Sequence, residues 1–271
     1  MVAATARLRA AGVSDPARDA RVLLAHAARI EATRVTLSAP EDLSPDIADR
    51  YEQLISLRAV RVPVSHLLGE REFYGRRFKV SPEVLDPRPE TETLVEAALA
   101  EPYQRFLDLG TGSGCLLVTL LAERSDAWGL GVDISEAACL QASANVVLHR
   151  VQGRASIRKS DWFSGVTEEF DLIVSNPPYI ALAEMEGLDK EVREHEPSLA
   201  LTDFGDGLGA YRKIAAHAHR HLAPGGRLLV EIGPSQAAPV MALFASGDLS
   251  GLSVLRDLDG RDRVICARRR A

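Results

Sequence analysis

Hydrophobic and polar positions change rhythm twice along this 271-residue chain. Residues 1–62 keep a helical period. Ser14-Asp15-Pro16 supplies a cap and a proline for a first turn, and the helix it opens lines Ala20, Leu23, Leu24 and Ala27 along one stripe. Ser44-Pro45 repeats the device ahead of Ile47, Tyr51, Leu54, Ile55 and Leu57. These stripes predict the core of a small helical bundle. Residues 63–89 lose the period: Pro63, Gly69, Gly75 and Pro82 punctuate them. Arg71-Glu72-Phe73-Tyr74 and Arg77-Phe78-Lys79-Val80 flank a glycine turn, which predicts a β-hairpin linker.

Residues 90–271 alternate strand and helix, which predicts an α/β fold with a doubly wound sheet. The acids of Glu90-Thr91-Glu92 fall in the first turn of a helix reaching Leu99, where its dipole favours them. Phe106 to Leu109 is a first strand, followed by a glycine-rich turn and an apolar helix, Cys115 to Ala122. Trp128 to Val132 is a second strand, Ala137 to Leu148 a helix, Ala155 to Arg158 a third strand and Phe170 to Val174 a fourth. Leu208 to Leu222 is helical, and a Pro224-Gly225-Gly226 turn leads to a fifth strand ending at Ile232. Leu252 to Leu258 and Arg263 to Ala267 close the chain as a pair around Asp259-Gly260, giving seven strands.

Composition limits the possibilities. At 46% hydrophobic and 26% charged, the chain can build a real core in one large domain or two modest ones. No apolar run approaches the roughly 18 residues of a membrane span, and the N-terminus shows arginines in an amphipathic pattern without an apolar h-region. Neither a membrane nor a signal peptide is expected. Cys115, Cys139 and Cys266 are odd in number, far apart and outside C-x-x-C pairs, so no disulfide framework and no metal site is expected, which fits the cytoplasm. Net charge is −6; residues 1–85 hold 13 Lys+Arg against 11 Asp+Glu, and the remainder 19 against 27. Gripping a duplex by its phosphates favours a basic face, and no such bias exists here, so no direct nucleic-acid partner is expected.

Two motifs carry candidate chemistry. Asp108-Leu109-Gly110-Thr111-Gly112-Ser113-Gly114 sits between strand and helix, where glycines let the backbone turn tightly and approach a ligand. Its G-x-G-x-G spacing differs from the G-x-G-x-x-G of dinucleotide sites and is that of S-adenosylmethionine-dependent methyltransferases. Asp133 follows 19 residues after Gly114 at a strand end, placed to accept from ribose hydroxyls. Asp161-Trp162-Phe163 follows the third strand, where a Trp face can stack on a purine and an Asp can accept from its amine; a capping Asp with core aromatics is the simpler alternative. The second motif, Asn176-Pro177-Pro178-Tyr179, ends the fourth strand. Two prolines remove two backbone donors and fix two φ angles, making a stiff loop that presents an amide, a carbonyl and a ring. Such a tetrapeptide resembles the site of methyltransferases whose target is a planar NH2 nitrogen, although Asn-Pro and Pro-Pro also make ordinary turns.

Nearly end to end, the chain resembles the HemK/PrmC family of protein-(glutamine-N5) methyltransferases. The resemblance rests on Pro63-Val64-Ser65-His66-Leu67-Leu68-Gly69 and the residues to Gly75, Arg88-Pro89-Glu90-Thr91-Glu92, the glycine turn, Ser160-Asp161-Trp162-Phe163 and Val174 to Ile180. Glu196 to Leu201 and Asp206 to Arg212 also look familiar, whereas the first 60 residues match mainly in helical character. The resemblance implies a seven-stranded Rossmann-like methyltransferase domain, residues 90–271, behind a substrate-docking bundle, and S-adenosyl-L-methionine as cofactor with S-adenosyl-L-homocysteine as product. Gly110, Thr111, Gly112, Ser113, Gly114, Asp133, Asp161, Trp162 and Asn176 would hold the cofactor. The implied partner is a class I peptide chain release factor, whose Gly-Gly-Gln glutamine would meet Asn176, Pro177, Pro178 and Tyr179. Asn176, Pro177 and Tyr179 would be catalytic: the Asn176 oxygen and Pro177 carbonyl would accept the two amide N–H bonds, and Tyr179 would exclude water.

Rival readings are an amino-methylating nucleic-acid enzyme, a glutamine methyltransferase of a ribosomal protein, and a binding module that has kept the fold. His195 offers itself as a general base, but a surface-loop histidine is the reading preferred. A monomer is expected.

Overall fold

A computed structural model describes residues 1–37 and 44–270. Residues 38–43, which fall in the stretch read as helical, lie outside the described residues. The chain forms two compact units, Met1–Glu70 with Asp189–His195, and Arg71–Leu188 with Glu196–Ala271. These do not coincide with the three-part division read from the sequence: the break falls at the start of the hairpin, and seven residues from beyond the tetrapeptide join the first unit.

The first unit contains α1 (Val2–Ala10), α2 (Pro16–Ala28), α3 (Ala32–Leu37), α4 (Pro45–Ala59) and α5 (Val64–Leu68). The expected stripe of α2 is buried at Ala20, Leu23, Leu24 and Ala27, and meets Tyr51 and Ile55 of α4. Leu57, expected on the α4 stripe with Tyr51 and Ile55, is exposed instead. Asp15 caps α2 by accepting from the Arg18 N–H at 3.2 Å, but Ser44 makes no such bond to α4. Helix α5 occupies the start of the stretch expected as hairpin. The short helix Lys190–His195 is held by Glu191, which takes Arg58 at 2.9 Å and Arg61 on both oxygens; Arg58 also binds buried Asp19 at 2.7 Å.

The second unit opens with the hairpin β1 (Glu70–Phe73) and β2 (Arg76–Lys79), then a 3₁₀ turn, Pro89–Thr91, and α6 (Glu92–Leu99). There follow β3 (Arg105–Leu109), α7 (Cys115–Glu123), β4 (Trp128–Asp133), α8 (Glu136–Leu148), β5 (Ala155–Lys159) and β6 (Phe170–Ser175). After α9, the Lys190–His195 helix, come α10 (Ser198–Leu201), α11 (Gly209–His221), β7 (Leu222–Glu231), α12 (Ala237–Ser246), β8 (Leu249–Arg256) and β9 (Asp262–Arg269). The seven strands from β3 onward form one sheet in the order β5-β4-β3-β6-β7-β9-β8, in which β9 alone runs against the rest, antiparallel to both β7 and β8. Its inner strands are apolar on both faces, as parallel strands covered on both sides must be. One face packs Leu107, Leu109 and Ile173 against Tyr211, Ile214 and Phe244, from α11 and α12. The other packs Phe106, Leu172 and Val174 with Leu94, Leu117 and Leu120, from α6 and α7.

The expected Pro224-Gly225-Gly226 turn is a bulge inside β7: pairing with β6 jumps from Phe170↔Leu222 to Leu172↔Arg227. The chain starts the sheet at β3, runs outward to β5, then returns to the other side of β3 as β6. The order therefore reverses between β3 and β6, and open α/β sheets bind ligands at such a point. Among the described residues no helix is long and apolar enough to cross a membrane.

Candidate active site

Five parallel strand ends meet along one edge of the sheet. Leu109 pairs with Val132 on one side and Ser175 on the other, Asp133 pairs with Lys159, and Ser175 pairs with Val230. The segments containing Gly110, Asp133, Asp161 and Trp162, Asn176 and Glu231 thus leave neighbouring strands at one level, with the reversal point in the middle.

The glycine turn needs its glycines. Gly110, Gly112 and Gly114 have φ of +71°, +53° and +78°, in the left-handed region that penalises a Cβ. A Cβ on Gly114 would lie 3.1 Å from the Ala142 Cβ of α8, so this glycine also permits close packing. A Cβ on Gly110 would meet nothing, which leaves that side of the turn open to a ligand. The Gly112 N–H donates to Asp133 Oδ2 at 3.0 Å, and the Ser135 N–H to Oδ1 at 2.9 Å. Each oxygen keeps lone-pair capacity for a hydroxyl. Burial raises the Asp133 pKa, against the pull of the Ser135 and Gly112 N–H groups. Thr111 and Ser113 are buried; the Thr111 hydroxyl donates to Asp108 Oδ2 at 2.7 Å, and Ser113 gives its carbonyl to Asn145 at 2.8 Å. Asp108 is fully buried, its Oδ1 has no hydrogen-bond partner, and burial pushes its pKa up to about 7 despite the Thr111 bond.

Beyond β5, Asp161 and Trp162 line one cavity. Trp162 is half-buried at a positive φ of 53°, beside this cavity of about 360 Å³ shared with His217 and Arg220 of α11. Asp161 points its carboxylate at Lys213, 3.2 Å away on the surface. Phe163 is buried and stacks on His221 at 4.8 Å between ring centroids, so it belongs to the core.

The Asn176-Pro177-Pro178-Tyr179 loop is fastened at both ends. Before it, the Ser175 hydroxyl donates to the Leu109 carbonyl at 2.7 Å. Behind it, Gln236 donates to the Tyr179 carbonyl at 2.9 Å and accepts from the Gly233 N–H at 3.0 Å. Burial pushes the Tyr179 phenol up to about 12, so it remains a neutral hydroxyl at physiological pH. Asn176 donates from Nδ2 to Thr91 Oγ1 at 3.2 Å, while its Oδ1 is buried without a partner. A buried acceptor left unmatched costs about 1–3 kcal/mol, and an incoming N–H would recover that cost.

Comparison with known proteins gives this edge its relatives. Residues 1–69 match the PrmC N-terminal domain model and residues 81–191 the methyltransferase small domain model. A release factor glutamine methyltransferase of Cereibacter sphaeroides is 55% identical, over 98% of this chain and 96% of its own. The enzyme of the same description from Rhodospirillum rubrum is 44% identical, over 98% and 82%. The chain belongs to the release factor glutamine methyltransferase family. Among solved structures, a T. thermophilus 16S rRNA N2 G1207 methyltransferase in complex with AdoMet and guanosine has a TM-score of 0.53 at 20% identity, covering 74% of this chain and 50% of that one. That likeness shows the shared methyltransferase fold.

Several residues at this candidate site escaped the sequence reading. Thr91 was read only as part of a first helical turn, yet its hydroxyl donates to Glu231 Oε2 at 2.7 Å. Glu231 and Asp108 each interrupt an otherwise apolar strand, and that interruption was the signal available. Gln236 and α12 carried no comparable mark. His195 is half-buried at the end of α9, within the first unit, rather than on a surface loop.

Proposed function

We propose that this protein transfers a methyl group from S-adenosyl-L-methionine to the side-chain amide nitrogen (N5) of a release-factor glutamine, that of the Gly-Gly-Gln loop in class I factors. Asn176 Oδ1 carries this reading: a buried, unpartnered acceptor just past the end of β6, the strand beside the one that leads into the glycine turn, in a chain of this family. It suits a substrate that arrives with an N–H to give.

The residues present fit the cofactor, since the turn is open at Gly110, Asp133 keeps acceptor capacity, and Asp108 Oδ1 is an orphaned acceptor beneath the turn. When bound, it supplies a methyl group already activated on a positively charged sulfur. Gly110 to Gly114 and Asp133 hold the methionine and ribose ends, and Trp162 flanks the adenine. Asp161 must exchange Lys213 for the adenine amine if it takes part.

An amide nitrogen is a weak nucleophile because its lone pair is shared with the carbonyl. Asn176 Oδ1 and the Pro177 carbonyl accept its two N–H bonds and fix the direction of approach; positioning of this kind can offset roughly 7–11 kcal/mol of barrier. Positive charge grows on the nitrogen as the N–C bond forms, and both acceptors stabilise it. The Tyr179 ring packs over the amide and excludes water. The nitrogen releases one proton to water after the bond has formed, and S-adenosyl-L-homocysteine is the second product. On this reading the protein works in the cytoplasm as a monomer, its N-terminal bundle docks the release factor, and nucleic acid takes no direct part.

The test is transfer of labelled methyl to a purified class I release factor, beside a copy whose Gly-Gly-Gln glutamine is alanine. Label on the first alone supports the substrate and the atom. Label on ribosomal protein or DNA instead would keep the chemistry and overturn the substrate.

A further inference from the structure

The amide of Asn176 has a defined polarity, and its cause lies two residues away from the reacting edge. A threonine hydroxyl has one proton to donate. Thr91 gives it to Glu231 Oε2 at 2.7 Å, so toward Asn176 the same oxygen can only accept, and it does so from Nδ2 at 3.2 Å. If the amide were turned over, Asn176 Oδ1 would face an oxygen whose proton is already engaged. Two acceptors opposed in a buried space repel each other and leave both without a donor. Nδ2 is therefore pinned to Thr91, and Oδ1 is the atom left over.

The three residues reach this arrangement from separate elements. Asn176 follows β6, Glu231 ends β7, and Ser175 pairs with Val230, so the two side chains start from neighbouring strand ends. Thr91 closes the 3₁₀ turn ahead of α6. A threonine at the start of a helix ordinarily spends its hydroxyl on a free N–H of the first turn. Thr91 makes no such cap bond. Its hydroxyl is turned to Glu231 and Asn176 instead, which a purely helix-stabilising threonine would not require. Thr91 and Glu231 are 2% and 1% exposed, too buried to meet a substrate. Behind Glu231, Arg263 Nη1 stands 4.0 Å from Oε1 and is itself held by Asp257 at 3.1 Å.

We propose that Thr91 and Glu231 are positioning residues that set the orientation of the Asn176 amide, so that its oxygen faces the substrate amide. The proposal rests on the reading of Asn176 given above. Its direction is Asn176 to Thr91 to Glu231, and it requires the carboxylate form of Glu231. A protonated Glu231 could donate to Thr91, free the hydroxyl proton for Asn176 Oδ1 and reverse the amide. The charged and titratable groups acting on Glu231 are Arg263, Arg88, Glu90, Tyr179, Tyr211 and Cys115.

The experiment compares Thr91→Val, Thr91→Ser and Glu231→Gln with the wild type, reading kcat on release factor, cofactor Kd by calorimetry, and Tm. Thr91→Val keeps the shape and removes both bonds; kcat should fall about 10- to 100-fold, the usual scale for a misdirected group, with cofactor Kd changed by less than about 5-fold. Thr91→Ser restores the hydroxyl and should return kcat to within about 3-fold of wild type. Wild-type kcat should rise with pH as Glu231 ionises, and Glu231→Gln should lose that limb. Equal losses in the valine and serine variants would overturn the proposal, as would wild-type kcat in the valine variant. If Thr91→Val fails to fold, the Glu231→Gln profile decides, and an unchanged acid limb overturns the proposal. An active wild type beside an equally active Thr91→Val defeats the relay alone. A wild type inactive on release factor defeats both the relay and the functional reading.

Discussion

Ser175 donates its hydroxyl to the Leu109 carbonyl at 2.7 Å, and the two residues are direct partners across β6 and β3. One precedes the Asn-Pro-Pro-Tyr loop and the other precedes the glycine turn. The two halves of the candidate site therefore hinge on one buried joint, and neither loop can shift along its strand without breaking it. Ser175→Ala should cost about 1 kcal/mol, the usual net worth of such a bond. Urea unfolding measures this, and cofactor titration should show a loosened turn as a few-fold weaker Kd. An unchanged midpoint and Kd would mean that strand pairing alone holds the joint.

Asn176→Ala removes the unpartnered acceptor and leaves the glycine turn, proposed above to hold the cofactor, unaltered. The expected result is a drop of about 100-fold or more in kcat, the scale seen when one preorganised group at a reacting centre is deleted. Cofactor Kd should change by less than about 10-fold. Equal losses in kcat and Kd would assign Asn176 to cofactor binding and remove it from catalysis.

The parts of the molecule legible in the sequence are those where one residue type has one use. Consecutive prolines after an apolar run, and glycines at alternate positions after another, announced the two strand-end loops, because few residues tolerate those backbones. The stripe on α2 was legible because every fourth position is apolar. Leu57 of α4 shows the limit: helical spacing groups it with Tyr51, Leu54 and Ile55, but the width of the buried face is set by neighbouring helices, and it remains 47% exposed. The bulge at Pro224-Gly225 looked like a turn because local conformation is similar and only the pairing with β6 distinguishes them. Thr91 and Glu231 stand 140 positions apart, and no local pattern could join them.

Gly207 tests the fastening behind Tyr179. Its φ is +75°, and a Cβ built there would come within 2.4 Å of the Tyr179 carbonyl oxygen, a backbone atom that cannot swing aside. That carbonyl also receives Gln236. Gly207→Ala should therefore displace the tetrapeptide loop, at about 1–3 kcal/mol of strain, and lower kcat more than cofactor affinity. Gly225→Ala is the control, because its φ is as positive at +76° but a Cβ there meets nothing within 4 Å. Comparable kcat in the two variants would show that the contact with Tyr179 does not matter.

Glu231 predicts a pH dependence whose sign follows from its burial. Desolvation raises its pKa from 4.5 to about 7, against the opposing effects of the Thr91 hydrogen bond and the Arg263 charge. Between those two values the folded protein holds a proton that the unfolded chain has lost. The contribution of this group to stability is thus fully present below about pH 4.5 and disappears as pH rises through about 7. Glu168 and Asp206, lowered to about 2 by Arg158 and Arg212, act in the opposite sense at lower pH. They are common to wild type and variant and cancel in the comparison. Glu231→Gln stays neutral throughout, so its unfolding free energy relative to wild type should increase from pH 4.5 to 8, by up to about 3 kcal/mol. Any constant offset from altered hydrogen bonding to Thr91 leaves that slope intact. Paired urea titrations at four pH values measure it. A difference that stays flat would mean that Glu231 is ionised in the fold across the whole range, with Arg263 and Thr91 outweighing its burial.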